Sequence, residues 1–133
     1  MQRGQMTMTQ GWTRVGRGVA GLALAVAAAG GAGAAEAKAY VVNEISVSDP
    51  MRFRSYAEQA PATLVPFGGK YLVRGGKGEA MAGTRPAALI VILEFPDRAQ
   101  AKAWRASAAY QKILPIRDAT STSRVYVVDG VAP

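Results

Sequence analysis

Nine consecutive residues, Gly68-Gly69-Lys70-Tyr71-Leu72-Val73-Arg74-Gly75-Gly76, decide the fold of this 133-residue chain. Residues 70–74 are rich in strand-forming types and lie between two glycine pairs, which predicts a short strand that begins and ends at turns. A loop then leads to residues 88–95, the most apolar run after the N-terminal region. A strand of that composition is normally central in its sheet. The two segments are therefore predicted to pair as strands two and three of an antiparallel hairpin.

The residues before this hairpin are predicted to form a strand followed by a helix. Residues 40–47 are β-branched and aromatic with polar interruptions, which predicts the first strand. Asp49 has the position of a helix N-cap, and Pro50 has the first helical position. Apolar residues then recur at helical spacing over residues 53–64, although Pro61 is expected to kink or end the regular part of the helix.

A second helix and a last strand follow the hairpin. Asp97 and Gln100 have the spacing of a capping box, which predicts the start of the second helix. Residues 110–119 are predicted to be a short helical continuation broken at Pro115, and residues 123–128 the last strand. The order βαββαβ predicts an α+β fold of the ferredoxin-like type. Right-handed crossovers then place both helices on one face of a four-stranded antiparallel sheet.

Strand alternation assigns each residue of the sheet to one of two faces. The set expected under the helices, the helix face, is almost wholly apolar: Val41, Asn43, Ile45, Val47, Tyr71, Val73, Leu89, Val91, Leu93, Phe95, Val125 and Val127. The opposite set, the uncovered face, mixes aliphatic, aromatic and charged residues: Tyr40, Val42, Glu44, Lys70, Leu72, Arg74, Ile90, Ile92, Glu94, Arg124, Tyr126 and Val128. That face is too apolar for water and too charged for a monomer core. We therefore expect a homodimer whose two sheets enclose a partly polar cavity, although a register shift of one residue would exchange the faces of a strand.

Composition excludes several classes of site. The chain has no Cys and no His, which excludes a disulfide framework, a thiolate nucleophile, a Ser–His–Asp triad and most transition-metal sites. Its formal charge of +7 includes three arginines that are the only charges in the first 35 residues, so the remainder carries +4. The basic residues of that remainder are scattered among acids, which argues against a nucleic-acid partner. We expect no metal and no cofactor.

The N-terminus has the form of an export signal. Residues 1–17 are polar with three arginines and no acid, and residues 19–29 are an apolar run built mostly from alanine. Small residues allow cleavage after Ala34 or after Ala37. The predicted organisation is a secretory signal peptide with a short linker at 1–37 and a ferredoxin-like domain at 38–133. The mature protein would be periplasmic or secreted, without a stable membrane anchor; the alternative is an uncleaved tail or an upstream start codon.

The order of motifs resembles a known bacterial family, catalogued as domain of unknown function 1330. The residues that carry the resemblance are Tyr40-Val41-Val42, Val47-Ser48-Asp49-Pro50, Pro61, the Gly68–Gly76 block, Leu93-Glu94-Phe95-Pro96, Ala103-Trp104, Ser107, Tyr110-Gln111, Arg117 and the closing strand to Gly130. The resemblance implies the dimeric α/β-barrel superfamily, which also holds antibiotic-biosynthesis-type monooxygenases, muconolactone isomerase-like proteins and haem-dependent relatives. The family has no agreed reaction, so the resemblance assigns no catalytic role. An export signal is a departure from the family pattern and argues against a cytoplasmic metabolic role, and Pro115 interrupts a region that is usually a regular helix.

Two charged residues of the uncovered face are the candidate catalytic pair. Arg74 and Glu94 are expected on adjacent strands, where Arg74 would hold a substrate carboxylate or enolate and Glu94 would move a proton. The alternative is a structural ion pair at the dimer interface. Glu44, Lys70 and Arg124 are weaker candidates of the same kind, Lys70 as a ligand-binding residue.

A second group of candidates lies on the helices. Tyr56, Trp104, Ser107 and Tyr110 are predicted to form an aromatic rim for a flat ligand, with Ser107 or Tyr110 donating a hydrogen bond. Residues at this spacing are also the ordinary core of a helix pair. Arg117 would close over the mouth of a cavity or pair with an acid.

Two functions remain open on the sequence alone. One is an exported homodimer that binds a small organic molecule and performs a cofactor-free oxygenation or isomerisation. The other is a non-catalytic binding or stress-related module of the same architecture, which the lack of His and Cys favours because both are efficient bases or nucleophiles.

Overall fold

A four-stranded antiparallel sheet forms the centre of the computed structural model, which describes residues 36–133. The elements are β1 (Ala39–Val47), α1 (Pro50–Leu64), a 3₁₀ turn (Val65–Phe67), β2 (Lys70–Gly76), β3 (Leu89–Phe95), α2 (Arg98–Ala106), α3 (Ala108–Thr120) and β4 (Ser121–Asp129). The strand order is β2-β3-β1-β4, which confirms the predicted ferredoxin-like α+β fold. All but the last two residues of the predicted signal peptide and linker, 1–37, lie outside the described residues. None of the helices over 36–133 is long and apolar enough to span a bilayer.

The helices begin where the sequence predicts. Asp49 Oδ1 accepts a hydrogen bond from the backbone N–H of Arg52 at 3.1 Å, and Asp97 Oδ1 accepts one from the N–H of Gln100 at 2.7 Å. Each aspartate thereby satisfies one backbone donor that the first turn leaves without a helical partner.

The two internal prolines do not end their helices, and the predicted break at Pro115 is wrong. Pro115 lies inside the continuous helix α3, and Pro61 lies inside α1. A proline removes one helical hydrogen bond and leaves the carbonyl four residues earlier without its N–H partner. At Pro115 that carbonyl belongs to Gln111, and both residues are exposed, so water can hydrate it. At Pro61 the carbonyl belongs to Ala57, which receives a side-chain donor instead, as described below.

One face of the sheet packs against the helices and forms the core. The predicted helix face is confirmed for β1, β3 and β4, where Val41 pairs with Leu93 and Val127, and Asn43 pairs with Val91 and Val125. The buried apolar residues of this core come from the sheet and from all three helices: Ala39, Val41, Ile45, Tyr56, Ala60, Leu64, Leu93, Phe95, Ala101, Trp104, Tyr110 and Ile113.

The glycine pair before β2 allows a close approach between the helical layer and the sheet. Gly68 has φ of +66°, the left-handed conformation that ends the 3₁₀ turn. A Cβ on Gly69 would lie 2.8 Å from Phe95 Cε1 and 3.0 Å from Leu64 Cδ2, so no side chain fits there without a shift. The chain can therefore enter β2 directly beneath the end of α1.

Strand β2 contains two irregularities that the sequence pattern did not predict, one between Tyr71 and Val73 and one between Arg74 and Gly76. Tyr71 lies opposite Leu93, whereas Val73 lies opposite Ile92, so Leu72 is an extra residue on the β2 side of the ladder. Such a β-bulge places two residues of one strand against one residue of its partner and exchanges the faces beyond it.

The bulge reverses two predicted positions. Val73 joins the uncovered face with Ile92, and Arg74, opposite Val91, joins the helix face. The prediction that Arg74 and Glu94 share the uncovered face is therefore wrong, although their strands are adjacent as expected.

Candidate functional site

A cleft with a cavity volume of about 210 Å³ lies between α1 and the helix face of the sheet. Its lining is mostly aliphatic and aromatic, with two polar side chains among the residues that define it: Phe53, Tyr56, Tyr71, Trp104, Asn43 and Arg74. An apolar concave site with a few polar groups is the usual form of a small-molecule site. The volume is below the usual range for drug-sized ligands, so the cleft suits a smaller molecule.

The inner end of the cleft is an aromatic cluster held by two buried hydrogen bonds. The hydroxyl oxygens of Tyr56 and Tyr110 lie 3.1 Å apart, and Trp104 Nε1 donates to Thr63 Oγ1 at 2.9 Å. The rings of Trp104 and Tyr110 are tilted against each other with centroids 4.2 Å apart. Tyr56 and Trp104 line the cleft, while Tyr110 is buried behind them. The structure thus brings together three of the four residues predicted as an aromatic rim.

Tyr56 remains a neutral hydroxyl at ordinary pH. Burial raises the pKa of Tyr56 well above its usual value of 10.0, the nearby Tyr110 raises it further, and the positive charge of Arg117 opposes the rise. The Tyr56 side chain can therefore donate or accept a hydrogen bond at the cleft, but it is a poor base.

Ser107, the fourth residue of the predicted rim, has a local role between the helices. Its hydroxyl donates to the carbonyl of Trp104 at 2.7 Å and accepts from the N–H of Tyr110 at 3.3 Å. Ser107 is the N-cap of α3 and does not line the cleft. It orients the two aromatic residues from the backbone, so its predicted ligand contact is not supported by its position.

Arg74 lines the cleft because of the bulge in β2. Its Nη2 donates to the carbonyl oxygen of Ala57 at 3.1 Å, which is the carbonyl that Pro61 leaves without a helical partner. Its guanidinium carbon lies 5.0 Å from the ring centroid of Tyr71, within the range of a cation–π contact. Arg74 therefore links β2 to α1 and places a positive charge at the cleft.

Asn43 and Arg117 form the polar inner wall. Arg117 extends from α3 into the core with a side chain that is 2% exposed, and its Nη2 lies 3.4 Å from Asn43 Oδ1. Asn43 lines the cleft, whereas Arg117 lies behind it, so Arg117 does not close the cavity mouth. Asn43 was not singled out from the sequence; the signal was available, since it is the one amide in the otherwise apolar set of the helix face.

The remaining charged candidates lie on the uncovered face, across the sheet from the cleft. Glu94 Oε1 accepts from Lys38 Nζ at 2.9 Å, and Glu44 Oε1 accepts from Arg124 Nη2 at 2.6 Å. Lys70 lies opposite Glu94 in the β2–β3 ladder. Glu94 cannot reach a ligand held by Arg74 in the same protomer, and whether either takes part in a reaction stays a prediction.

The cleft is lined without acidic residues. Over residues 36–133 there is also no group of three His, Cys, Asp or Glu side chains that could hold a metal ion. The lining therefore combines apolar surface with neutral hydrogen-bonding groups and one arginine.

Comparison with known proteins agrees with the fold. The profile of the family described as "Domain of unknown function (DUF1330)" matches residues 38–131. A protein of unknown function from Rhodopseudomonas palustris is 17% identical with a TM-score of 0.61, over 74% of this chain and 85% of that one. SnoaB, a cofactor-independent oxygenase from Streptomyces nogalater, is 18% identical with a TM-score of 0.53, over 71% of this chain and 94% of that one. At these identities the likeness establishes the fold alone, and no curated protein matches.

Proposed function

The chain belongs to the DUF1330 family, and from that premise we propose that it binds a small organic molecule in the cleft beneath α1 and oxidises or isomerises it without a cofactor. The observation that carries the proposal is the cleft itself: a preformed apolar cavity within one protomer, lined by four aromatic side chains and two polar ones. Such a site orients a flat molecule and excludes water.

The proposed chemistry is suggested by the fold that this chain shares with SnoaB, a cofactor-independent oxygenase. In a cofactor-free oxygenation the substrate itself supplies electrons to dioxygen, so the protein contributes binding, orientation and electrostatics. Tyr56 and Trp104 would contact the body of the substrate, and Arg74 would contact a polar group near the β2 side of the cleft.

A non-catalytic binding module is the second candidate. It is favoured by the lining of the cleft, in which no carboxylate, His or Cys is available as a general base near neutral pH. The two candidates differ in whether the bound molecule is changed: turnover of a ligand by the purified protein supports the first, and release of the same molecule supports the second.

The uncovered face supports a homodimer as part of the proposal. Val42, Ile92 and Tyr126 form its central row, and the carboxylates of Glu44 and Glu94 are already paired with cations. Tyr126 is 41% exposed in the single chain. A second copy facing this surface would bury the apolar row and leave the charged pairs at its border.

Export is the remaining part of the proposal. The pattern of residues 1–37 supports a cleaved signal and a periplasmic or secreted protein. Mass analysis of the protein purified from its own host gives the mature N-terminus directly: a chain beginning at Ala35 or Lys38 supports export, and an intact N-terminus contradicts it.

The test of the cleft combines native mass spectrometry with one variant and a matched control. The protein purified from its host should be a dimer that carries one small molecule per protomer. Ala57 lines the cleft, whereas Ala62 is exposed on the same helix. Ala57→Phe should remove the extra mass and Ala62→Phe should retain it. Equal ligand content in the two variants would contradict the assignment of the cleft.

A further inference from the structure

Arg117 is a buried cation with few partners. An arginine side chain has five N–H donors, but over the described residues Arg117 makes a single side-chain hydrogen bond, to Asn43 Oδ1 at 3.4 Å, and its Nε has no partner. The nearest carboxylate oxygen, Asp118 Oδ1, lies 3.8 Å from Nη1 and belongs to a side chain that is 62% exposed. A guanidinium in the core without a buried counter-ion is unfavourable unless something else supplies the negative charge.

The contact with Arg117 determines how Asn43 faces the cleft. Arginine has donors and no acceptor, so the atom that Asn43 presents to it must be the carboxamide oxygen. The group that Asn43 can then offer to the cleft is its NH₂, whose N–H bonds are polarised by the adjacent positive charge. The cleft therefore has a neutral hydrogen-bond donor on its inner wall with a buried cation directly behind it.

The other polar groups at the cleft also favour a negatively charged ligand. Arg74 adds a second positive charge among the lining residues, and none of those residues is acidic. Tyr56 carries a neutral hydroxyl, which is a further possible donor. Arg74 in the lining and Arg117 behind it thus both favour a negative ligand, and neither is suited to remove a proton from a neutral one.

We propose that the cleft binds an organic anion, whose anionic oxygen accepts a hydrogen bond from Asn43 while Arg117 neutralises its charge from behind. The proposal rests on the proposed function, in which this cleft is the ligand site, and adds the class of ligand: a small planar carboxylate or enolate that enters already ionised. In this arrangement Asn43 is a binding residue and Arg117 is a positioning residue that acts through it.

Benzoate and its neutral amide, benzamide, are suitable probes because they differ in charge and hardly in shape. Their dissociation constants for the full chain are measured by calorimetry or by ligand-observed NMR. Benzoate should bind at least about tenfold more tightly, since a hydrogen bond to a charged group exceeds a neutral one by about that ratio. The preference should vanish as the pH falls and benzoate becomes protonated.

Variants separate this role from a purely structural one. Asn43→Asp would place a carboxylate beside Arg117, so it should stabilise the protein and yet abolish benzoate binding. Arg117→Met, which removes a buried charge with little change of volume, should fold and should lose the preference for benzoate over benzamide. Arg117→Lys should restore part of the preference. Lys112→Met removes a cation from an exposed position of the same helix and is the matched control, which should bind as the wild type does.

The outcomes distinguish a failure of the cleft as the ligand site from a failure of the anionic ligand class. Loss of both probes in Ala57→Phe, together with equal affinities in the wild type, would leave the cleft as the site and overturn the anionic class. Benzoate binding that Ala57→Phe leaves unchanged would contradict the cleft itself. Unaltered benzoate preference in Asn43→Asp or Arg117→Met, or no binding of either probe at millimolar concentration, would also overturn the proposal.

Discussion

The hydrogen bond between Trp104 and Thr63 gives the most direct test of how the cleft is held in place. Trp104 Nε1 donates to Thr63 Oγ1 at 2.9 Å, and both side chains are buried. Thr63→Val keeps the shape of the side chain and removes the acceptor. The hydroxyl of Thr63 also donates to the carbonyl of Ala60 at 2.7 Å, so the substitution removes that bond as well.

The expected cost follows from the orphaned indole N–H. A buried donor without a partner costs about 1–3 kcal/mol, since no water replaces the lost acceptor. The loss of the bond to Ala60 adds little because a helical carbonyl retains its backbone partner. We expect the free energy of unfolding to fall by about 2 kcal/mol, which for a domain of this size lowers the melting temperature by roughly 8–16 °C.

The assay is urea unfolding followed by circular dichroism, at one fixed protein concentration because dimerisation would contribute to the apparent stability. Thr63→Ser retains the hydroxyl and removes the methyl group, so it is the control for changed packing at this position. In a Trp104→Phe background, where no indole donor exists, Thr63→Val should cost less than about 0.5 kcal/mol. A cost that is the same in both backgrounds would refute the reasoning, because it would show that the hydrogen bond contributes nothing.

Three further predictions concern other parts of the molecule. Because burial raises the pKa of Tyr56, folding favours its protonated form, so the contribution of Tyr56 to the free energy of unfolding should be constant below about pH 10 and fall above it. Tyr56→Phe should weaken the decline in stability measured by urea unfolding at alkaline pH, and an unchanged decline would contradict this prediction. Ile92→Lys, in the middle of the uncovered face, should give a monomer by light scattering with its secondary structure intact, whereas a persistent dimer would show that the face is not the interface. Pro61→Ala restores an N–H for the carbonyl of Ala57, so in that background Arg74→Met should lower the free energy of unfolding by about 1 kcal/mol less than it does in the wild type. Additive losses of stability would contradict the role assigned to Arg74.

Local signals were sufficient to predict most of the fold. The aspartates that cap the helices, the glycine pairs and the apolar run of β3 act within a few residues of their own position, and all are visible as residue types. Pro115 was misjudged because the cost of an internal proline depends on where the freed carbonyl lies. In α3 that carbonyl is exposed to water, and sequence alone does not place it there.

The candidate site was predicted only in part. Tyr56, Trp104 and Tyr110 are large aromatic residues at helical spacing, so their meeting in one core could be expected. The placement of Arg74 on the same face as Glu94 was wrong because it assumed strict alternation along β2. One extra residue at Leu72 reverses the faces of Val73 and Arg74, and a bulge depends on pairing with β3 rather than on the residue types of β2.

The sequence by itself determined the order of elements, which residues of the central strands face the helices, and the amphipathic character of the sheet, because these follow from short-range sterics and from the period of apolar residues. Only the tertiary structure determined which polar residues lie beside the cleft. Asn43 and Arg117 are separated by 74 residues, and their contact depends on how α3 packs across β1. No local sequence pattern encodes a contact between residues so far apart in the chain. The positive charge of Arg117 behind the cleft therefore depends on the packing of α3 against β1.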